Sequence, residues 1–330
     1  MTNKEIYQKT IGFSLRRIGW DIVAVLILAV CGAAGFFGAE KLWNMGLIGL
    51  GGGAIVGLIL LAILLRYVSY TYKAGQIAMM TKAVTEGSLP DDTIAAGKEI
   101  VHERFTTVAV YFAATGVIKG IFNQIGRSLT KLGESIGGDA GNAVGSAVSA
   151  AVSTVVAYLC DCCLGWIFFR KEEKATTATL EGAALFFKHG KTLAKNMGRV
   201  FGMGLLSLLL IGGVFFGILY LVFNSFPAVF SRLAAEISEA FARGEISTAD
   251  TAENVRAFLT NPSTLMIGAA VLGAIIIWSI LHSAFVRPFV LVGVLRNYLE
   301  SGMNDIPTKE SYDAVAKISP KFAKLQSQEA

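Results

Sequence analysis

Six apolar runs, each close to the ~20 residues a helix needs to cross a ~30 Å hydrocarbon core, govern what this chain can become. They lie at about 19–38, 47–65, 105–122, 142–169, 200–223 and 264–286. Charged connectors separate them, and only 16% of the 330 residues are charged, against the ~25% usual in a water-soluble domain. The runs therefore predict an all-α, polytopic membrane helical bundle. It is one integral membrane domain over 1–330, with about six transmembrane helices and amphipathic helices at the interface.

The fourth run carries the feature least compatible with lipid. Asp161 stands in it nine residues before Arg170, roughly 13 Å inside the hydrocarbon boundary at ~1.5 Å per residue. A carboxylate at that depth must be paired or wetted. Ala147, Ala150, Thr154, Ala157 and Asp161 recur at spacings of three and four, so one helix face is small and ends in an acid. A face of that kind lets another helix approach closely. Gly49, Gly53 and Gly57 make a similar face on the second run.

The partners expected for Asp161 are His282 and Arg287, near the inner end of the sixth run. An Asp161–His282 pair could relay protons, because a nearby carboxylate moves the imidazole across physiological pH. A buried polar pair that only fixes packing is the plainer reading. Lys119, near the end of the weak third run, is read as snorkelling to the headgroups or as facing a pathway.

Charge sorts by segment and sets the threading. Lysines and arginines number four before the first run, five over 66–104, seven over 170–199 and six from Arg287 onward. The intervening segments hold one, three and three. The excess places both termini in the cytoplasm of a multi-pass plasma-membrane protein. Arg170, Lys171, Lys188, Lys191, Lys195 and Arg199 are the residues expected at lipid headgroups. Segment 123–141 reads as a surface or re-entrant helix, or as an extension stepping into the fourth run. Residues 225–263 read as two amphipathic helices on the outer side, and 300–330 as a cytoplasmic tail, a short helix with a frayed end.

Other motifs dissolve on inspection. Gly190-Lys191-Thr192 ends like a phosphate loop, but Leu185 stands where its first glycine belongs and no strand precedes it. Cys160, Cys162 and Cys163 cannot converge on one ion from a single helix, because the first two point about 200° apart. They read as small apolar side chains, and neither a metal nor a cofactor is expected. No nucleic-acid motif accompanies the net charge of +5, and no nucleophile-base arrangement marks an enzyme. Two classes stay open. One is a small transporter or channel using Asp161. The other is a structural or accessory membrane protein that binds lipid, a protein partner or a second copy through its amphipathic helices and basic inner loops.

Overall fold

The computed structural model describes residues 1–43, 46–137, 141–189, 200–243 and 253–329, with side chains described outside 43, 47, 69 and 128–152. Ala147, Ala150, Lys191, Lys195 and Arg199 therefore carry expectations that lie outside the described side chains. All regular structure among the described residues is helical. The elements are α1 (Asn3–Trp43), α2 (Gly46–Val68), α3 (Ala74–Glu86), α4 (Thr93–Arg104), α5 (Val108–Gly137), α6 (Gly141–Phe169) and α7 (Ala175–Lys188). They continue as α8 (200–207), α9 (Gly213–Asn224), α10 (Pro227–Ala242), α11 (Glu253–Thr260), α12 (Pro262–Leu281), α13 (Arg287–Asn304), α14 (Lys309–Ile318) and α15 (Pro320–Glu329). Three π-helical turns, Ser69–Lys73, Leu208–Gly212 and His282–Val286, join α2 to α3, α8 to α9 and α12 to α13 without breaking the rods.

Among the described residues, five helical stretches are long and apolar enough to cross a membrane: Asn3–Leu42, Ile48–Glu86, Val108–Arg127, Val200–Asn224 and Pro262–Asn304. The fourth predicted run contributes a shorter apolar helix, Ser153–Phe169. An all-α membrane bundle is thus the architecture. The chain divides into two compact units. Unit 1 comprises Met1–Arg17, Tyr67–Met203 and Phe285–Ala330; unit 2 comprises Ile18–Arg66 and Gly204–Ala284.

Unit 2 is helices with their apolar side chains turned outward. Of the 42 large apolar side chains exposed among the described residues, 34 belong to it, among them Leu26, Ile55, Leu58, Leu209, Leu221 and Leu272. Such an exterior is stable only in hydrocarbon. Its interior contacts are backbone-close. A methyl group on Gly35 of α1 would strike the carbonyl of Gly49 on α2, and one on Gly53 would strike the carbonyl of Cys31. That is the approach a small-residue face permits where lipid gives little drive to association. Elsewhere α9 packs along α12, and amphipathic α10 lays Phe230, Ala234 and Phe241 inward.

Unit 1 is built the opposite way. Its apolar side chains converge on an internal core containing Ile77, Met80, Phe105, Phe122, Trp166, Leu295, Tyr298 and Phe322, all at most 1% exposed. α6 lies at its centre, packed on α3, α5, α7 and α13. Gln76 of α3 donates to the Thr10 carbonyl (3.2 Å) and to Ser14 Oγ (3.0 Å), fixing the start of α1. Gly87 ends α3 at φ 72°, a left-handed turn that glycine adopts without penalty. Asp92 then starts α4 by accepting from the backbone N–H groups of Ile94 and Ala95.

Several expectations need correction here. The third run is not helical from its expected edge at 105: Phe105 is extended, its ring fully buried, and α5 begins at Val108. α5 then continues unbroken to Gly137, so most of 123–141 prolongs that helix instead of forming a separate surface element. The tail, expected as a short helix with a frayed end, forms two helices that reach Glu329. α14 and α15 bury Val315 and Phe322 completely, and Ser319 donates to Gln124 Oε1 of α5 at 2.6 Å. A short amphipathic helix with one large apolar residue per turn is marginal alone, and burial of that residue decides its fate.

Candidate functional site

Asp161 sits on the buried side of α6 with its side chain 4% exposed. Its two oxygens go to different cations. Lys73 Nζ reaches Oδ1 at 2.6 Å, and Arg287 Nη2 reaches Oδ2 at 2.6 Å. Arg287 also donates to the Ala157 carbonyl (3.2 Å) and lies 5.4 Å from the Tyr158 ring centre. Each cation stands at the edge of a π-helical turn: Lys73 is the last residue of Ser69–Lys73, and Arg287 directly follows His282–Val286. A π turn inserts one residue into an α-helix and re-aims the side chains beside it, a device that recurs at functional sites.

The expected Asp161–His282 pair is replaced by this clamp. His282 Nδ1 is 2.9 Å from Ser207 Oγ, its ring packs on Trp278, and Trp278 Nε1 donates to the same Ser207 oxygen at 3.1 Å. This Ser207–Trp278–His282 cluster is internal to unit 2, whereas Asp161, Lys73 and Arg287 belong to unit 1. The reason is chemical as well as positional. A carboxylate in bidentate reach of an ammonium and a guanidinium has both oxygens committed to charge-assisted bonds, which are stronger than one to a neutral imidazole.

Beside the clamp lies a cavity of about 710 Å³ between α5 and α6. Tyr111, Thr115, Lys119 and Asn123 line it at four-residue spacing along α5, facing Ser153, Ala157, Cys160 and Asp161 of α6. Lys73 and Arg287 reach the same space. Its size is that of a small-molecule site. Thr154 is exposed and Ala157 half-buried, and at Ala157 the small face of α6 borders this cavity. Cys162 and Cys163 are fully buried, Cys163 against the Thr179 carbonyl at 3.8 Å. Among the described residues no three His, Cys, Asp or Glu side chains gather as metal ligands would.

Of the basic residues after α6, the described ones make ion pairs within the protein. Arg170 bonds both oxygens of Glu181 (2.9 and 3.1 Å), and Trp166 Nε1 donates to the same carboxylate at 3.0 Å. Lys188 pairs with Asp305 at 2.6 Å, and exposed Lys171 stands 3.9 Å from Glu86. Arg170 and Lys188 thus join helices within unit 1. Their counter-charges are Glu181 on α7 and Asp305, the residue that caps the end of α13.

Lys73 was the residue that sequence reasoning missed. With the second run ending at 65, Lys73 reads as part of a polar connector and bears only on threading. The signal was the helical spacing of Val68, Tyr72, Gly75 and Met79 beyond Arg66, which shows that the rod does not stop there. No protein-family model, characterised protein or solved structure matches the chain.

Proposed function

We propose that the chain is an accessory, ligand-holding protein of the plasma membrane, anchored by the apolar segments of unit 2, with unit 1 folded in water on the cytoplasmic side. The observation that carries this is the opposite finish of the two units: the exterior of unit 2 is apolar, while unit 1 keeps its apolar side chains inside. Within the apolar stretches of α1, α2, 200–224 and α12, 6–11% of residues are buried by protein; in 108–127 the share is 28%. On this reading four stretches cross, and Met1–Arg17, Tyr67–Met203 and Phe285–Ala330 all fall on one face by the parity of crossings. Of the 29 lysines and arginines, only Lys41, Arg232, Arg243 and Arg256 then lie opposite, a sharper asymmetry than six crossings give.

The same reading lowers the electrostatic cost of Asp161, since a carboxylate at protein-water depth need not be carried into hydrocarbon. It also removes the proton relay, because a doubly paired carboxylate with no imidazole partner is fixed in charge. The cavity then becomes a place to hold a ligand. Gly116 lines it, and a Cβ built there meets nothing within 4 Å, so a side chain has room there and Gly116→Leu narrows the cavity. Native mass spectrometry of the detergent-purified protein is expected to show a retained small ligand in the wild type and none in Gly116→Leu. An empty wild-type protein would count against a ligand-holding role. A transporter or channel is the second reading, favoured by the volume of the cavity. Solute flux in proteoliposomes that Gly116→Leu abolishes would establish it.

A further inference from the structure

We infer that the ligand held between α5 and α6 is an anion of the phosphate-ester class with an adjoining apolar group. The inference rests on the cavity being a ligand site and adds the charge and shape of what enters it. Three cations, Lys73, Lys119 and Arg287, line the space against the single carboxylate of Asp161. Asp161 is held by Lys73 and Arg287 together, so the trio leaves a surplus of two positive charges. Lys119 has no acidic partner among the described residues, and it stands on the same wall as Asn123, whose side-chain amide can donate hydrogen bonds of its own.

A second observation points to a ligand independently of charge counting. The Nε–H of Arg287 is buried and has no hydrogen-bond acceptor among the described residues, although the Nη2 group of the same guanidinium serves Asp161 and Ala157. A buried donor left without an acceptor is unfavourable enough that native proteins seldom keep one. A guanidinium with one edge committed and one donor open is suited to an anion with several oxygens. A phosphate monoester offers them, and carries enough charge to meet both surplus cations. Both helices also supply an apolar complement: Phe112 and Ile118 of α5 and Val156 and Leu164 of α6 share the cavity with the polar groups. A free inorganic ion would leave that wall dry and unused.

Two sources share this chemistry, the headgroup of an acidic phospholipid and a soluble phosphate ester. Binding to the full-length protein in dodecyl maltoside, followed by isothermal titration, separates them with three probes: dihexanoyl phosphatidic acid, glycerol 3-phosphate and dihexanoyl phosphatidylcholine. Phosphatidic acid is expected to bind, and Lys119→Gln to weaken it about tenfold, the scale of one charge-assisted contact. Glycerol 3-phosphate binding as tightly as phosphatidic acid would assign the site to a soluble ester; much weaker binding would assign it to a lipid. Lys119 is exposed, so its replacement leaves the fold intact, and unchanged circular dichroism verifies this. Phosphatidylcholine binding as well as phosphatidic acid, indifferent to Lys119→Gln but lost in Gly116→Leu, would overturn the anion while leaving the ligand-holding role standing. Binding of no probe, with no ligand retained on purification, would remove both.

Discussion

At the scale of single residues, the account turns on Asp161 having two cationic partners. Lys73 and Arg287 are 28% and 26% exposed, so neither is bathed in solvent, and each was brought to the carboxylate by a π turn. Breaking a buried ion pair by removing one side is strongly unfavourable, since the other charges stay in place without their counter-charge. Asp161→Asn is therefore expected to lower stability by about 3 kcal/mol, read as a fall in the detergent-solubilised melting temperature. If Asp161 were instead a freely titrating relay group, the same change would leave the melting temperature alone. His282→Ala should cost about 1 kcal/mol, the scale of a hydrogen bond such as the one to Ser207. Asp161 is legible in the sequence because a charge inside an apolar run is conspicuous, and Arg287 because it closes one. Lys73 is not, because a π turn leaves no mark in residue type and the polar residues around it resemble a loop.

Whole helices show where pattern sufficed and where packing had to decide. The glycines of α2 are spaced for close approach, and spacing alone names the face; that Gly35 and Cys31 of α1 meet it is tertiary information. Gly53→Leu is expected to force those helices apart and destabilise unit 2 by about 2 kcal/mol, seen as reduced melting temperature and poorer monodispersity in detergent. The tail illustrates the other limit. α15 is polar enough to read as fraying, yet Phe322 is fully buried and Glu329 accepts from Thr176 and Thr177. Phe322→Ala should therefore release it, at a cost of about 3 kcal/mol, and limited proteolysis should then clip the chain after 308. Docking should also weaken in acid. The Lys188 hydrogen bond holds Asp305 below the usual carboxylate range, and the Thr176 hydroxyl does the same for Glu329. A depressed folded-state pKa means the contribution is present above the unfolded value near ~4 and lost as pH falls through the folded one. Tail protection from protease should accordingly decline below about pH 4 and be unaffected between pH 6 and 8.

For the whole molecule, apolar runs and charge asymmetry were enough to identify a membrane bundle, and neither could say which runs face lipid. Length and composition are alike for a helix wrapped by hydrocarbon and one wrapped by protein; the difference is that Tyr158, Leu164 and Phe168 are buried in a helix packed on four others. That contrast between units carries the claim that α5 and α6 fold in water. Thiol labelling tests it most directly. In a chain with Cys31, Cys160, Cys162 and Cys163 replaced by alanine, single cysteines are placed at Ala113 on the exposed side of α5, at Leu58 on the apolar exterior of α2, and at Ser327 in the tail. A membrane-impermeant maleimide applied to inside-out vesicles is expected to label Ala113→Cys and Ser327→Cys alike and to spare Leu58→Cys. Protection of Ala113→Cys to the level of Leu58→Cys would contradict the account and return α5 to the bilayer.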